Sequence, residues 1–184
     1  MKYYLQLGVI LMIFCVIATG ILAYVNSVTE PKIEALKAEE SIKSREELIP
    51  DCDFEEVVLR DGFSYFIATD KETNELKGYT FTAQKKGYGS VIKTMAGLDP
   101  EFRVIGIKIV DQSETPGLGA NCTNDSFTSQ FAGKTPEQLA VDKDGGPIKS
   151  LSGATITSRA IVASLAEEIE AIKADLAKKE EVAE

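Results

Sequence analysis

From Tyr3 to Thr29 the chain carries no charged side chain. Its stretch from Leu5 to Val25 is an apolar run of about 20 residues, roughly 30 Å as a helix and enough to cross the hydrocarbon core of a bilayer. A cleaved leader has a shorter apolar region that ends in small residues, whereas Ala18-Thr19-Gly20 lies inside this run. The run is therefore read as one retained transmembrane anchor, residues 1–26. Its orientation is open on composition alone. Only Lys2 and the amino group precede it, and Lys32, Lys37, Lys43 and Arg45 follow it, yet the excess of basic residues governs long translocated domains weakly.

With 184 residues, the rest of the chain suffices for one domain of about 150 residues and not for two cores. A content of 44% hydrophobic and 27% charged residues excludes disorder and a polytopic bundle. The chain has no histidine and no tryptophan, which removes His-ligated haem, His-containing zinc or iron sites, Ser-His-Asp triads and histidyl-linked flavin. Cys15, Cys52 and Cys122 are far apart and form no CxxC pair, so the chain alone builds no iron–sulfur cluster and attaches no haem c. A redox cofactor, if present, is organic. A net charge of -9 argues against a nucleic-acid partner.

Beyond the anchor, Pro31 is placed to start a second helix, and Ile33, Leu36, Ile42 and Leu48 give a thin apolar stripe among charges as far as Pro50. Residues 27–50 read as a polar helical stalk. From Phe54 to about Val110 come five β-rich runs, FEEVVL, SYFIATD, LKGYTFTA, SVIKTMAGL and FRVIGIKIV, separated by Asp-Gly, Thr-Asn, Gly-Tyr-Gly and Asp-Pro turn signals. With no helix between them they predict an antiparallel sheet. A short helix is expected over Asn124 to Phe131, a turn over Asp142 to Pro147, and a long helix from Ser158, where Ile161, Leu165, Ile169, Ile172 and Leu176 recur at intervals of three or four. The fold class is α+β, with a domain over 51–178 and an acidic tail over 179–184, in which Glu180 to Glu184 fray. Cys52 and Cys122 are open to two readings, a disulfide or two free thiols.

Three segments carry the chemistry. Ser152-Gly153-Ala154-Thr155, followed by Thr157 and Ser158, places hydroxyls and a glycine at a helix N-terminus, where unpaired N–H groups favour a phosphate; taken alone, the segment reads as a helix cap. Glu114-Thr115-Pro116-Gly117-Leu118-Gly119 is a tight turn by composition, and a loop of this kind also lies flat against a planar ligand or an anion. Gly87-Tyr88-Gly89-Ser90 reads as a hairpin turn, and the GxGxxG fingerprint is absent.

Taken together, the order and spacing of these motifs behind a single anchor resemble the FMN-binding domain family shared by the G subunit of the Rnf complex and the C subunit of the sodium-pumping NADH:quinone oxidoreductase. The resemblance covers essentially the whole chain, and the chain length is nearer that of the Rnf protein. It implies that a flavin transferase attaches FMN through a phosphoester to the threonine of the S/T-G-A-T motif, here Thr155, with Ser152, Gly153 and Ala154 shaping the turn and Thr157 beside it. It further implies that Glu114, Thr115, Gly117, Leu118 and Gly119 approach the flavin ring, with Tyr88 as a further contact. Two positions depart from the family pattern. An acidic residue is usual where this chain has Lys149, Asp144 being the nearest acid upstream, and histidine is frequent where Ser113 stands.

The resemblance implies an electron-carrier subunit with covalent FMN, a phosphothreonyl flavoprotein in a membrane complex that moves electrons between ferredoxin and NAD and couples this to sodium or proton translocation. Its partners would be the other subunits of that complex, the flavin transferase and the membrane. It would sit in the inner (cytoplasmic) membrane with the FMN domain on the extracytoplasmic side. The alternatives are the C subunit of the quinone reductase, another extracytoplasmic flavoprotein carrier, and an anchored binding module without flavin in which the SGAT segment only caps a helix.

Overall fold

The computed structural model describes residues 2–59 and 62–183, with side chains as far as residue 179. By internal contacts the chain divides into two compact units, residues 1–42 and 43–184. The first is helical and belongs to α1 (Lys2–Leu48), which is long and apolar enough to cross a membrane. Pro31 lies inside α1 and starts no separate helix. Its missing N–H leaves the Ser27 carbonyl without a helical donor. Nearby, Ser27 Oγ donates to the Tyr24 carbonyl (2.8 Å), Thr29 Oγ1 donates to the Val25 carbonyl (2.7 Å), and Asn26 Nδ2 donates to Glu30 (3.0 Å).

The second unit is built on five strands, β1 (Cys52–Val58), β2 (Ser64–Asp70), β3 (Leu76–Lys86), β4 (Val91–Leu98) and β5 (Val104–Asp111). They pair in sequence order, every neighbour antiparallel, as the closely spaced β-rich runs predict. Asp61, from the Asp-Gly turn signal between β1 and β2, lies outside the described residues. After β5 come a 3-10 turn (Gly119–Thr123), α2 (Asp125–Thr128), further single turns, and α3 (Thr155–Ala183). The helix starts three residues earlier than its apolar stripe announces, because Thr155 to Thr157 form a first turn that faces the loops and not the core. Its backbone is helical to Ala183; Glu184 and the side chains of 180–183, where the acidic tail was expected, lie outside the described residues.

One face of the sheet holds the main core. Ile161, Leu165, Ile169 and Ile172 of α3 are buried against Tyr65, Phe81, Ala83, Ile92, Ala96 and Leu98. Each large side chain so buried stabilises the fold by about 1.5–3 kcal/mol relative to exposure. Phe127 and Phe131, ring centroids 5.4 Å apart, extend this core beneath β5.

Residues 43–49 cover part of the other face. Gly97 and Gly106 face each other across β4 and β5, and their missing side chains leave a shallow groove. Leu48 fills it: a Cβ on either glycine would come 3.3 Å from a Leu48 carbon. Ile49, Cys52 and Ala68 form a small second core beside Leu48 and Phe54. The Arg45 guanidinium lies 3.3 Å over the centroid of the Phe66 ring, a cation–π contact. Cys52 thus belongs to this second core and Cys122 to the main one, and both are free thiols.

Candidate functional site

The hairpin turn Gly87–Ser90 joins β3 to β4 and closes through the Gly87 N–H to the Ser90 carbonyl (2.8 Å). The loop after β5 makes a second turn. Leu118 N donates to the Thr115 carbonyl (3.1 Å) around Pro116 and Gly117, and Gly117 has φ +78°. These are the marks of a type II turn, whose third position takes glycine because that φ is left-handed. A third turn leads into α3: Ala154 N donates to the Leu151 carbonyl (3.0 Å) around Ser152 and Gly153. Ser158 locks it, its hydroxyl accepting from Leu151 N (2.9 Å) and donating to the Ala154 carbonyl (3.2 Å).

These three turns meet around one cavity of about 460 Å³, lined by Tyr88, Glu114, Thr115, Leu118, Gly119, Gly153, Ala154, Thr155, Ile156 and Thr157. Of the residues expected from sequence, Ser152 and Gly117 do not line it; both are exposed turn positions. Ile156 was not expected. It is 53% exposed on the first turn of α3, and an apolar residue that faces away from the core stripe is the signal that could have found it.

Glu114 ties the three turns together. It is 6% exposed. Its Oε1 accepts from Gly89 N (3.0 Å), Ser90 N (2.9 Å) and Ser90 Oγ (3.3 Å), and its Oε2 accepts from Thr157 Oγ1 (2.9 Å). Burial pushes its pKa upward, but the donors at Ser90, Thr157 and Gly89 outweigh burial and hold it below the ordinary glutamate value. The thiol of Cys122 is pushed up to about 11, chiefly by burial and further by the Glu114 charge.

Thr155 is half-buried, opens α3, and its hydroxyl makes no hydrogen bond among the described residues. The N–H groups of Thr155, Ile156 and Thr157 have no carbonyl one helical turn earlier within α3, so the helix presents free donors at the cavity. Leu118 (44% exposed) and Tyr88 (71%) give the mouth an apolar rim. Lys149 has an exposed side chain, with its backbone N–H and carbonyl held by Gln130 (2.8 and 3.4 Å). Asp144 forms a two-pronged pair with Arg159 of α3 (2.7 and 2.6 Å). Ser113, at the other departing position, is exposed and donates its N–H to Ser90 Oγ (2.8 Å).

Comparison with known proteins agrees with this layout. Residues 2–48 match the family model of the RnfG N-terminal region, and residues 87–170, which include all three turns, match that of the FMN-binding domain. The chain is 35% identical over 166 residues to the G subunit of the proton-translocating ferredoxin:NAD(+) oxidoreductase complex of Clostridium ljungdahlii, covering 88% of each chain. It is 31% identical over 175 residues to the G subunit of the ion-translocating oxidoreductase complex of Methanosarcina acetivorans, covering 90% of this chain and 93% of that one. The crystal structure of Shewanella oneidensis NqrC aligns with a TM-score of 0.50 at 21% identity, covering 60% of this chain and 61% of that one, a likeness of fold. The chain is thus a member of the family of G subunits of ion-translocating oxidoreductase complexes.

Proposed function

We propose that this chain is the FMN-carrying electron-transfer subunit of a membrane complex that couples electron flow between ferredoxin and NAD to sodium or proton translocation, with FMN joined by a phosphoester to Thr155. The observation that carries the reading is the Thr155 hydroxyl, which has no hydrogen-bond partner among the described residues and lines a cavity bounded by the hairpin turn, the ETPGLG loop and the first turn of α3.

The residues fit the group. A cavity of about 460 Å³ lies within the ordinary size of cofactor sites. A Cβ on Gly153 would come 3.0 Å from Leu118 Cδ2, so the glycine keeps open the side of the cavity on which Leu118 stands. The free N–H groups and dipole of α3 favour a phosphate at Thr155, and Leu118, Ile156 and Tyr88 offer apolar surface to a ring system. When bound, FMN supplies the redox chemistry and passes electrons one at a time, which a relay needs. The chain's own residues orient it: Thr155 tethers, the first turn of α3 offsets the phosphate charge, and the ETPGLG loop and Tyr88 flank the ring.

Residues 1–26 are then the anchor and 51–178 the flavin domain, held on the extracytoplasmic side of the cytoplasmic membrane. The other subunits supply donor and acceptor, and a flavin transferase makes the phosphoester. The test is expression of the full chain with a flavin transferase, followed by intact mass and ultraviolet fluorescence of the denatured protein. A gain of one FMN less one water, mapped to the SGAT peptide and lost in Thr155→Ala, is the expected result. A dark wild-type band, or flavin still attached to Thr155→Ala, would refute the reading.

A further inference from the structure

We infer that Glu114 is a positioning residue, a buried carboxylate anion that holds the hairpin turn, the loop after β5 and the first turn of α3 around the cavity and leaves a fixed negative charge in its wall. The first half stands on geometry alone; the second rests on the FMN reading above.

A carboxylate this deep ordinarily requires a cation, because an unpaired buried charge is costly. Among the described residues no lysine or arginine forms an ion pair with Glu114. Four dipoles take that place: two backbone N–H groups and a hydroxyl on Oε1, and the Thr157 hydroxyl on Oε2. Their residues lie 24, 25 and 43 positions away along the chain, so the carboxylate is where the three segments are joined. Hydrogen bonds to a charged acceptor are stronger than neutral ones.

The surrounding backbone is shaped to this group. A Cβ on Gly87 would lie 2.7 Å from Oε1, and a Cβ on Gly119 would lie 2.7 Å from Oε2. The two glycines thus face the carboxylate closely, and burial beside it leaves its field weakly screened. Adding electrons to a group in the cavity brings negative charge toward this anion. Glu114 therefore lowers the reduction potential of whatever redox group occupies the site.

Glu114→Gln separates the two halves. The glutamine oxygen still accepts from Gly89 and Ser90, and its NH₂ meets Thr157, whose hydroxyl turns to accept. Only the charge is lost. Glu114→Ala removes both. The full chain in detergent is assayed twice: by amide hydrogen exchange at Gly89 and Ser90 in flavin-free protein, and by redox titration of FMN-loaded protein. Both amides are expected to be protected in wild type and in E114Q, and to exchange at least tenfold faster in E114A. Unprotected wild-type amides, or protection unchanged in E114A, overturn the positioning half; should E114A fail to fold, wild type and E114Q decide it. The E114Q midpoint is expected to rise by a tenfold or larger change in the reduction equilibrium, about 59 mV for one electron. A midpoint equal to wild type, or an E114Q protein that keeps its amides protected yet takes no flavin, overturns the charge half. If wild type itself takes no FMN, the functional reading fails, and the exchange measurement still decides whether Glu114 holds the turns.

Discussion

Replacing Gly119 by alanine tests how tightly the loops close on Glu114. Gly119 is not in the left-handed region, so backbone entropy alone favours alanine by about 0.4–1 kcal/mol. The structure reverses that sign. The new methyl would stand 2.7 Å from Glu114 Oε2, 2.8 Å from Thr157 Oγ1 and 2.9 Å from Glu114 Cβ, against a comfortable separation of about 3.5–4 Å. Overpacking of this kind costs about 1–3 kcal/mol. The two oxygens it meets are partners in one hydrogen bond to a charged acceptor, whose loss adds about 1.5–3 kcal/mol. The net destabilisation is about 2–5 kcal/mol. Gly117→Ala is the control: nothing lies within 4 Å of its Cβ, and its φ of +78° adds only about 1–2 kcal/mol of left-handed strain. Urea unfolding followed by tyrosine fluorescence reads the difference, since Tyr65 and Tyr79 are buried. With a slope of about 2 kcal/mol per molar, Gly119→Ala lowers the midpoint by about 1–2.5 M. A midpoint equal to wild type, or no lower than that of Gly117→Ala, would refute the close packing of Gly119 on the carboxylate.

Thr157→Val keeps the shape of the side chain and removes the donor to Glu114 Oε2, so the domain loses about 1.5–3 kcal/mol in the same unfolding assay while Thr155 still takes flavin; loss of the flavin would show that Thr157 shares in attachment. Because the carboxyl of Glu114 is held below its unfolded-chain value of roughly 4.3, its stabilising contribution is complete at neutral pH and is lost as the pH falls from that value through the lower folded one. The stability gap between wild type and E114Q therefore narrows on acidification, and a gap constant from neutral pH to about pH 3 would contradict this. Alkylation after denaturation without reductant should label all three cysteines, whereas two masked thiols would contradict the separate placement of Cys52 and Cys122.

The sheet was legible because strand runs and turn residues alternate at short range, and the face of α3 because its apolar spacing is regular. The meeting of the three turns was not readable from pattern, since it depends on one side chain, Glu114, bonding to partners far along the chain. The family resemblance implies that this glutamate approaches a ring, and it does line the cavity; its hydrogen bonds to Gly89, Ser90 and Thr157 are a further role that no pattern announces. The packing of residues 43–49 was hidden for a different reason. Ser44 and Arg45 look like stalk residues, yet Ser44 is buried and Arg45 spends its cation on an aromatic ring, a contact with no signature in a hydropathy pattern. Pro31 misled in the opposite direction, since a residue favoured at helix starts sits within an unbroken helix.

The strictly sequential strand order sets a timetable. Each strand pairs with the one made just before it, so the whole sheet grows by closing short hairpins, the fastest kind of β contact. The cavity obeys a different clock. One wall is complete once the hairpin and the loop after β5 exist, but the other belongs to the first turn of the last helix, and that helix is held by core contacts reaching back to β2. Thr155 can stand at a cavity mouth only after nearly the whole chain has been synthesised and docked. Any enzyme that modifies this threonine in its folded setting reads a finished domain, and a chain truncated within α3 would present the same peptide with no cavity behind it.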